Sequence, residues 1–360
     1  MSKFFSDRYA SLAPYVPGEQ PKEKKYIKLN TNESPFPPSK RAQKYAAAEL
    51  KKLMLYPDPD CKGLTKAIAN RYGVEEGQVI VNNGSDETLY FAFLAYCDKK
   101  RPAVFMDITY GFYKVFAEFT GCKYVEVPLN SDFSVPVDKL KKTKGTIFLA
   151  NPNAPTGLAL SKSTIEEIVA ADRDRVVVVD EAYVDFGGES CVSLTEKYDN
   201  LLVTQTFSKS RSLAGARLGF GIADKGIIAD LQRIKYSTNP YNVNRTTAAA
   251  GLCAMEDEKY FSSNCEKIQS TRTWTKTQLE DLGFTVTDSK ANFLFAKSEK
   301  IGGEELYVAL KENGVLVRHF TAEKIKDYNR ITIGSQKEMQ ILVDKIKTIL
   351  EAKQCELLKS

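Results

Sequence analysis

Four consecutive valines, Val176 to Val179, constrain the fold of this chain more than any other stretch of the sequence. They follow Arg175 and lead directly into Asp180. An uninterrupted β-branched run is typical of a strand buried on both faces, as the strands of parallel sheets are. Ligands of open α/β sheets bind at the carboxyl ends of such strands. The run therefore predicts a parallel sheet covered by helices, and it makes Asp180 a candidate site residue.

Strand-like and helix-like segments alternate between about residues 78 and 222. This alternation predicts a mostly parallel central sheet sheathed by helices. One helix is expected from residue 163, with a capping box formed by Ser163 and Glu166. Beyond residue 222 the pattern is mainly helical, then short strands precede a closing helix, which predicts a smaller second α+β domain.

Residues 204–221 combine a lysine with side chains that suit a phosphate. Lys209 directly follows Ser208, Thr206 lies two residues before that serine, and Arg217 comes eight residues after the lysine. Hydroxyls and a guanidinium bind phosphate well, and a lysine beside them is placed to attack an aldehyde on the same ligand. Pyridoxal phosphate has both groups, and its enzymes add a carboxylate at the ring nitrogen, for which Asp180 is the candidate. Taken singly, a surface lysine in a serine-rich loop and a strand-capping aspartate are equally good interpretations.

The composition narrows the class of protein. Hydrophobic residues make up 43% of the 360 and charged residues 27%, as in ordinary soluble globular proteins. The net charge of +5 is small and dispersed, so neither nucleic acid nor a membrane surface is predicted as a partner. Seven scattered cysteines without a Cys-x-x-Cys pair indicate reduced thiols and a cytoplasmic location. The single histidine, His319, excludes a multi-histidine metal site, and we predict no metal.

Three motifs occur in one order along the chain: Asp180-Glu-Ala-Tyr183, Thr206-Phe-Ser208-Lys209 and Arg217-Leu-Gly219. In this the chain resembles the fold-type-I pyridoxal-phosphate-dependent aminotransferases, and the resemblance extends from Leu12 to Gly334. It implies the α/β fold of that family, with an N-terminal arm at residues 1–38, a large cofactor-binding domain at 39–250 and a small C-terminal domain at 251–360. It also implies a homodimer with shared active sites, in which the arm crosses to the partner subunit.

The resemblance assigns roles to individual residues. Lys209 would bear the cofactor, Asp180 would face the ring nitrogen, and Tyr183 would donate to the phenolic oxygen. The other residues implied to bind the cofactor are Gly84, Ser85, Asp86, Tyr110, Asn153, Thr206, Ser208, Arg217 and, from the other subunit, Tyr56. Those implied to bind substrate are Tyr15, Asn32, Arg318 and Arg330.

The sequence departs from the family pattern at one point. Where the family commonly has Asn-Pro-Thr-Gly, with the asparagine bonding the phenolic oxygen, this chain has Ala154-Pro-Thr-Gly157, preceded by Asn153. The side chain of Ala154 cannot make that bond. We expect either Asn153 to reach the ligand or Tyr183 to bond the phenolic oxygen alone.

The resemblance implies reversible transamination, with histidinol phosphate and 2-oxoglutarate as small-molecule substrates. An aminotransferase for aromatic amino acids and a threonine-phosphate decarboxylase of the same fold are alternatives. So is a binding or regulatory module that keeps the fold and not the chemistry, although the intact Lys209 and Asp180 argue against it. Strand alternation directs His319 away from Arg318, and we interpret this histidine as structural.

Overall fold

A computed structural model describes residues 2–10, 12–21 and 24–357. Residues 1, 11, 22 and 23 of the predicted arm, and 358–360 of the predicted small domain, lie outside these ranges. The strands are β1 (Ile27–Lys28), β2 (Val79–Asn82), β3 (Ala103–Met106), β4 (Tyr124–Val127), β5 (Thr146–Ala150), β6 (Val177–Asp180), β7 (Leu201–Thr206), β8 (Gly219–Ala223), β9 (Phe284–Val286), β10 (Phe293–Ser298), β11 (Val315–Leu316), β12 (Arg318–His319) and β13 (Tyr328–Thr332). The α-helices are α1 (Lys40–Glu49), α2 (Lys62–Tyr72), α3 (Ser85–Tyr96), α4 (Phe112–Thr120), α5 (Val137–Lys142), α6 (Lys162–Ala170), α7 (Lys225–Thr238), α8 (Arg245–Glu256), α9 (Glu258–Asp281), α10 (Gly303–Glu312) and α11 (Gln336–Leu357).

The central sheet has seven strands in the order β2-β8-β7-β6-β5-β3-β4. Only β8 is antiparallel to its neighbours, so the prediction of a mostly parallel sheet is confirmed. In β6, Val177 and Val179 pack into one hydrophobic cluster and Val178 into another, on opposite faces of the sheet. All three valines are completely buried, as the sequence predicted.

The carboxyl edge of this sheet brings the predicted motifs together. Asp180 ends β6, where it is the Cα partner of Thr204 in β7. The chain leaves β7 after Thr206 and returns antiparallel at Gly219, its Cα partner in β8. The loop of residues 207–218 therefore lies at the same edge as Asp180 and holds Lys209 and Arg217 there.

A second sheet, with the strand order β12-β13-β10-β9, is antiparallel throughout. Apolar side chains of α9, α10 and α11 pack with it in one hydrophobic cluster. The segment before α1 joins this region, since β1 pairs with β11 and the Thr332 N–H donates to the Leu29 carbonyl oxygen. The boundaries of the two predicted domains stay a prediction.

The N-terminal segment packs on its own chain in this structure. The ring of Tyr9 stacks on Phe119 at 5.3 Å, and the ring of Tyr15 lies 4.4 Å from Phe112, both on α4. The predicted crossing to a partner subunit stays a prediction.

The capping box predicted for α6 is wrong. Ser161, not Ser163, caps the helix by accepting a hydrogen bond from the Thr164 N–H. The helix thus begins earlier than expected, and Glu166 instead accepts hydrogen bonds from Lys197 and Tyr198. Within the described ranges, none of the helices combines the length and the apolar character that a membrane crossing requires.

Candidate active site

A cavity lies at the carboxyl ends of β5, β6 and β7. Of the residues predicted to bind the cofactor, only Tyr56, Gly84 and Asn153 are missing from its lining. A second cavity adjoins it, and the four predicted substrate-binding residues, Tyr15, Asn32, Arg318 and Arg330, all line this one. Lys209, Tyr110, Ala154 and Tyr183 line both. The predicted nucleophile therefore lies at the boundary between two compartments.

The amine of Lys209 has a setting that favours its neutral form. Its Nζ donates to the Thr31 carbonyl oxygen at 3.2 Å and lies 5.8 Å from the centre of the Tyr183 ring. Burial, and then the positive charge of Arg330, lower the pKa of Lys209 to about 8. Near neutral pH a larger fraction of this lysine is therefore an unprotonated nucleophile than for an ordinary lysine.

Asp180 lies at the floor of the first cavity and is only 4% exposed. Its Oδ2 accepts a hydrogen bond from the Tyr113 hydroxyl at 2.9 Å, and its Oδ1 accepts one from the Ala182 N–H at 3.2 Å. Burial raises the pKa of Asp180 to about 6, while the hydrogen bond from Tyr113 acts in the opposite direction. Tyr113 was not predicted as a site residue, although it follows the predicted Tyr110 by three residues and its N–H donates to the Tyr110 carbonyl oxygen at the start of α4.

Hydroxyls, a guanidinium and a helix start converge at the other end of this cavity. The Oγ1 of Thr206 lies 3.0 Å from the Ser208 Oγ, and Arg217 Nη1 lies 3.4 Å from the same Ser208 oxygen. Ser85, the first residue of α3, lines the cavity beside them. The N–H groups of a helix's first turn favour an anion, so this arrangement suits a phosphate.

Two glycines allow the close packing of this phosphate-binding end. Gly84 has a φ of +87°, and a Cβ there would lie 2.9 Å from Arg217 Nη2. A Cβ at Gly219 would lie 2.3 Å from the Ser85 backbone nitrogen. Gly84 therefore contributes a backbone conformation that a residue with a Cβ rarely adopts.

Asp86 orients two other residues of the cavity. One of its oxygens accepts a hydrogen bond from Arg217 Nη2 at 2.9 Å, and the other accepts one from the Tyr110 hydroxyl at 2.7 Å. The guanidinium and the aromatic ring are thereby held by one carboxylate.

The side chain of Asn153 makes hydrogen bonds within the protein, and its predicted contact with the ligand stays a prediction. Its Nδ2 donates to the Ile108 carbonyl oxygen and to Thr156 Oγ1, each at 3.0 Å, and its Oδ1 accepts from Thr109 Oγ1 at 2.8 Å. Asn153 is buried and hydrogen-bonded within the protein, whereas Ala154 lines the cavity. Tyr183 is the alternative: its hydroxyl oxygen accepts a hydrogen bond from Asn32 Nδ2 at 2.9 Å, which leaves its own proton free to donate.

Tyr56 lies outside both cavities. It is 78% exposed, and its ring stacks on Tyr241 at 4.7 Å. Its predicted contact with a partner's cofactor stays a prediction.

Arg330 is the more enclosed of the two predicted substrate arginines. Its Nη2 donates to the Asn30 carbonyl oxygen at 3.0 Å, and its guanidinium lies 5.4 Å from the centre of the Phe293 ring. Burial lowers its pKa. Arg318 lies across from it on β12 and donates to the Val16 carbonyl oxygen at 3.4 Å.

Comparison with known proteins agrees with this fold. The family model described as aminotransferase class I and II matches residues 24–346, and the chain belongs to that family. Among its relatives are a histidinol-phosphate aminotransferase of Brachyspira hyodysenteriae, 47% identical over 98% of this chain and 100% of the relative, and one of Clostridium beijerinckii, 47% identical over 99% and 100%. A solved histidinol-phosphate aminotransferase from Sinorhizobium meliloti in complex with pyridoxal-5'-phosphate has the same fold, with a TM-score of 0.88, 21% identity, and coverage of 98% of this chain and 99% of that one.

Proposed function

We propose that this protein is a pyridoxal-phosphate-dependent aminotransferase that converts histidinol phosphate and 2-oxoglutarate into imidazole acetol phosphate and glutamate, a step of histidine biosynthesis. The names of its 47% identical relatives support histidinol phosphate as one of the two substrates. The observation that carries the proposal is the position of Lys209 between a phosphate-binding cavity and a cavity with two arginines.

The residues of the first cavity fit pyridoxal phosphate group by group. Arg217, Ser208 and the start of α3 would hold its phosphate, and Lys209 would bond its aldehyde carbon. Asp180 would face its ring nitrogen, Tyr110 its ring face and Tyr183 its phenolic oxygen. When bound, the cofactor supplies an aldehyde that condenses with amines and a ring that accepts the electron pair released from the substrate carbon.

Three side chains of the protein would move or hold the protons of the reaction. The neutral amine of Lys209 would remove the proton from the amine-bearing carbon of the substrate. The carboxylate of Asp180 would hold a proton at the ring nitrogen, which requires the ionised form of a buried acid. The Tyr183 hydroxyl would donate a hydrogen bond to the phenolic oxygen, a role that falls to it because Ala154 has no polar group.

The second cavity would bind the anionic end of either substrate. Histidinol phosphate ends in a phosphate and glutamate in a carboxylate, and a planar guanidinium binds both kinds of oxygen. Arg330 would contact both substrates, whereas Arg318 would matter more for the phosphate, which has the larger charge.

The homodimer belongs to this proposal. An exposed apolar segment surrounds Tyr56 and contains Leu50, Leu53, Met54 and Leu55, each more than half exposed. Such a patch is typical of an interaction surface. A second copy of the chain would cover it and bring Tyr56 to the partner's phosphate-binding end. We also propose that the chain divides into an N-terminal arm at residues 1–38, a large domain at 39–250 and a small domain at 251–360. The proposed location is cytoplasmic.

Assays of three amines test the proposed function. The purified, cofactor-loaded protein is supplied with histidinol phosphate, phenylalanine or threonine phosphate, with and without 2-oxoglutarate. We expect glutamate to form fastest with histidinol phosphate and only when 2-oxoglutarate is present. Faster reaction of phenylalanine would favour an aromatic aminotransferase, and carbon dioxide release without 2-oxoglutarate would favour a decarboxylase. Cofactor binding without any turnover would favour a binding module.

A further inference from the structure

Tyr113 is a completely buried polar neighbour of the site. It lies on α4, its side chain is completely buried, and it does not line either cavity. Its hydroxyl donates to Asp180 Oδ2 at 2.9 Å. The hydroxyl therefore reaches the carboxyl group from within the core, while Asp180 itself lines the cavity.

The same ring touches a second predicted contact of the cofactor. Tyr113 and Tyr110 pack edge to face, with ring centres 5.6 Å apart and an interplanar angle of 90°. Phe105 and Phe148 pack against Tyr113 as well, at 5.9 Å each. One rigid ring thus supports both the aromatic residue over the predicted ring face and the carboxyl group at its predicted ring nitrogen.

We propose that Tyr113 is a positioning residue that keeps the Asp180 carboxylate ionised and turned toward the ring nitrogen of the bound cofactor. This inference rests on the proposed function. A hydrogen bond donated to a carboxylate stabilises the charged form, and it occupies one oxygen in a fixed direction. Ala182 N–H holds the other oxygen from the backbone. Together the two donors fix the plane of the carboxyl group.

The charged and titratable groups around Asp180 make this donor important. Asp86 on α3 opposes ionisation of Asp180, and the positive charge of Lys209 favours it. The hydroxyls of Tyr110 and Tyr183 lie nearby, and besides burial the negative charge of Asp180 contributes to the raised pKa of each. Burial has the largest effect, and it raises the pKa of Asp180 to about 6. Without the hydroxyl of Tyr113, the protonation equilibrium of Asp180 shifts further toward the neutral acid.

Tyr113→Phe tests this directly, because it removes one oxygen and keeps the ring that fills the core. Tyr96→Phe is the matched control. Tyr96 is a buried tyrosine of the same hydrophobic cluster, and its hydroxyl contacts Asp230 Oδ2 at 3.4 Å, away from the site. The pKa of the Asp180 carboxyl is measured by carbon-13 NMR in the cofactor-free enzyme, with Asp180→Asn used to identify the signal. Cofactor affinity is measured as a function of pH on the same proteins.

We expect Tyr113→Phe to raise the pKa of Asp180 by about one pH unit, because the lost hydrogen bond favours the ionised form. The pH below which cofactor affinity declines should rise by a similar amount, and Tyr96→Phe should change neither value. An unchanged Asp180 pKa in Tyr113→Phe, or an equal shift in Tyr96→Phe, would overturn the inference while leaving the proposed function intact. Cofactor affinity and turnover unaltered by Asp180→Asn would instead overturn the proposed role of Asp180, and the inference with it.

Discussion

Arg318 and Arg330 are Cα partners across the antiparallel strands β12 and β13. Like charges directly opposite each other destabilise a pair of strands. The hydrogen bonds of both guanidiniums go to backbone carbonyl oxygens, which do not neutralise the charge. Both residues line the second cavity, so an anionic substrate bound there would offset the repulsion. This is a physical reason for two arginines in these positions.

Arg330→Ala should impair the reactions of both histidinol phosphate and glutamate. Loss of one partner of a desolvated charge pair costs about 2–5 kcal/mol, or roughly thirty- to several-thousand-fold in kcat/KM. Arg318→Ala should impair the reaction of histidinol phosphate more than that of glutamate. Arg330→Lys should retain only part of the activity, since lysine lacks the planar guanidinium that makes two parallel hydrogen bonds. Single-turnover kinetics of each half-reaction measure these effects.

The exposed Arg233 on α7 provides a control, since Arg233→Ala removes a positive charge that lines neither cavity. If Arg330→Ala left both half-reactions within about twofold of wild type, under ~0.4 kcal/mol, the anion pocket would be assigned wrongly.

The amine of Lys209 should react as a weaker base than ordinary lysines. Its pKa is lowered to about 8, so the neutral fraction rises as the pH increases through about 8 rather than through the ordinary value of about 10.4. Trinitrobenzenesulfonate reacts only with neutral amines, and mass spectrometry of the Lys209 peptide reports its labelling rate at each pH. In the cofactor-free enzyme the midpoint should lie near pH 8, and in urea it should move to the ordinary value. The same midpoint in the folded and unfolded protein would contradict the effect of burial.

Lys209→Ala should abolish steady turnover and the visible absorbance that depends on a covalent bond to the lysine. We expect cofactor still to bind through its phosphate, because Arg217 and Ser208 are unchanged. Absorbance spectra and multiple-turnover assays report the two losses separately. Normal turnover in this variant would show that another group is the nucleophile.

Tyr56 should act on the site of the other subunit. Its side chain is 78% exposed and lies outside the cavities of its own chain. A mixture of Lys209→Ala and Tyr56→Ala subunits, refolded together, should recover about a quarter of wild-type activity, because half of randomly mixed dimers are hybrid and each hybrid has one intact site of two. Each variant refolded alone is the control. No recovery in dimers shown to be mixed would argue that Tyr56 acts within its own chain or has no role.

The sequence predicted those features of the fold and the candidate site that depend on local pattern. The valine run of β6 identified a strand buried on both faces, and strand–helix alternation identified the mostly parallel sheet. Parallel strands end at a common edge, so Asp180 and the loop with Lys209 could be expected near each other before the structure was known.

The features that the sequence did not predict depend on contacts between distant residues or on details of backbone geometry. Tyr113 meets Asp180 from 67 positions away, and no local pattern reveals that pairing. The amide of Asn153 was predicted to contact the cofactor, and the sequence did not reveal its hydrogen bonds with Ile108, Thr109 and Thr156. The cap of α6 was misplaced because two serines, Ser161 and Ser163, precede the same helix and only backbone geometry distinguishes them.

The proposed reaction transfers an amino group in two separable halves. The direct measurement is a stoichiometric one: cofactor-loaded protein is mixed with excess histidinol phosphate without an oxo acid, and product is counted per subunit. We predict that about one equivalent of imidazole acetol phosphate forms and the reaction then stops. Addition of 2-oxoglutarate should restart it, with one glutamate formed for each further product molecule. Continued turnover without 2-oxoglutarate, or release of carbon dioxide, would contradict the account.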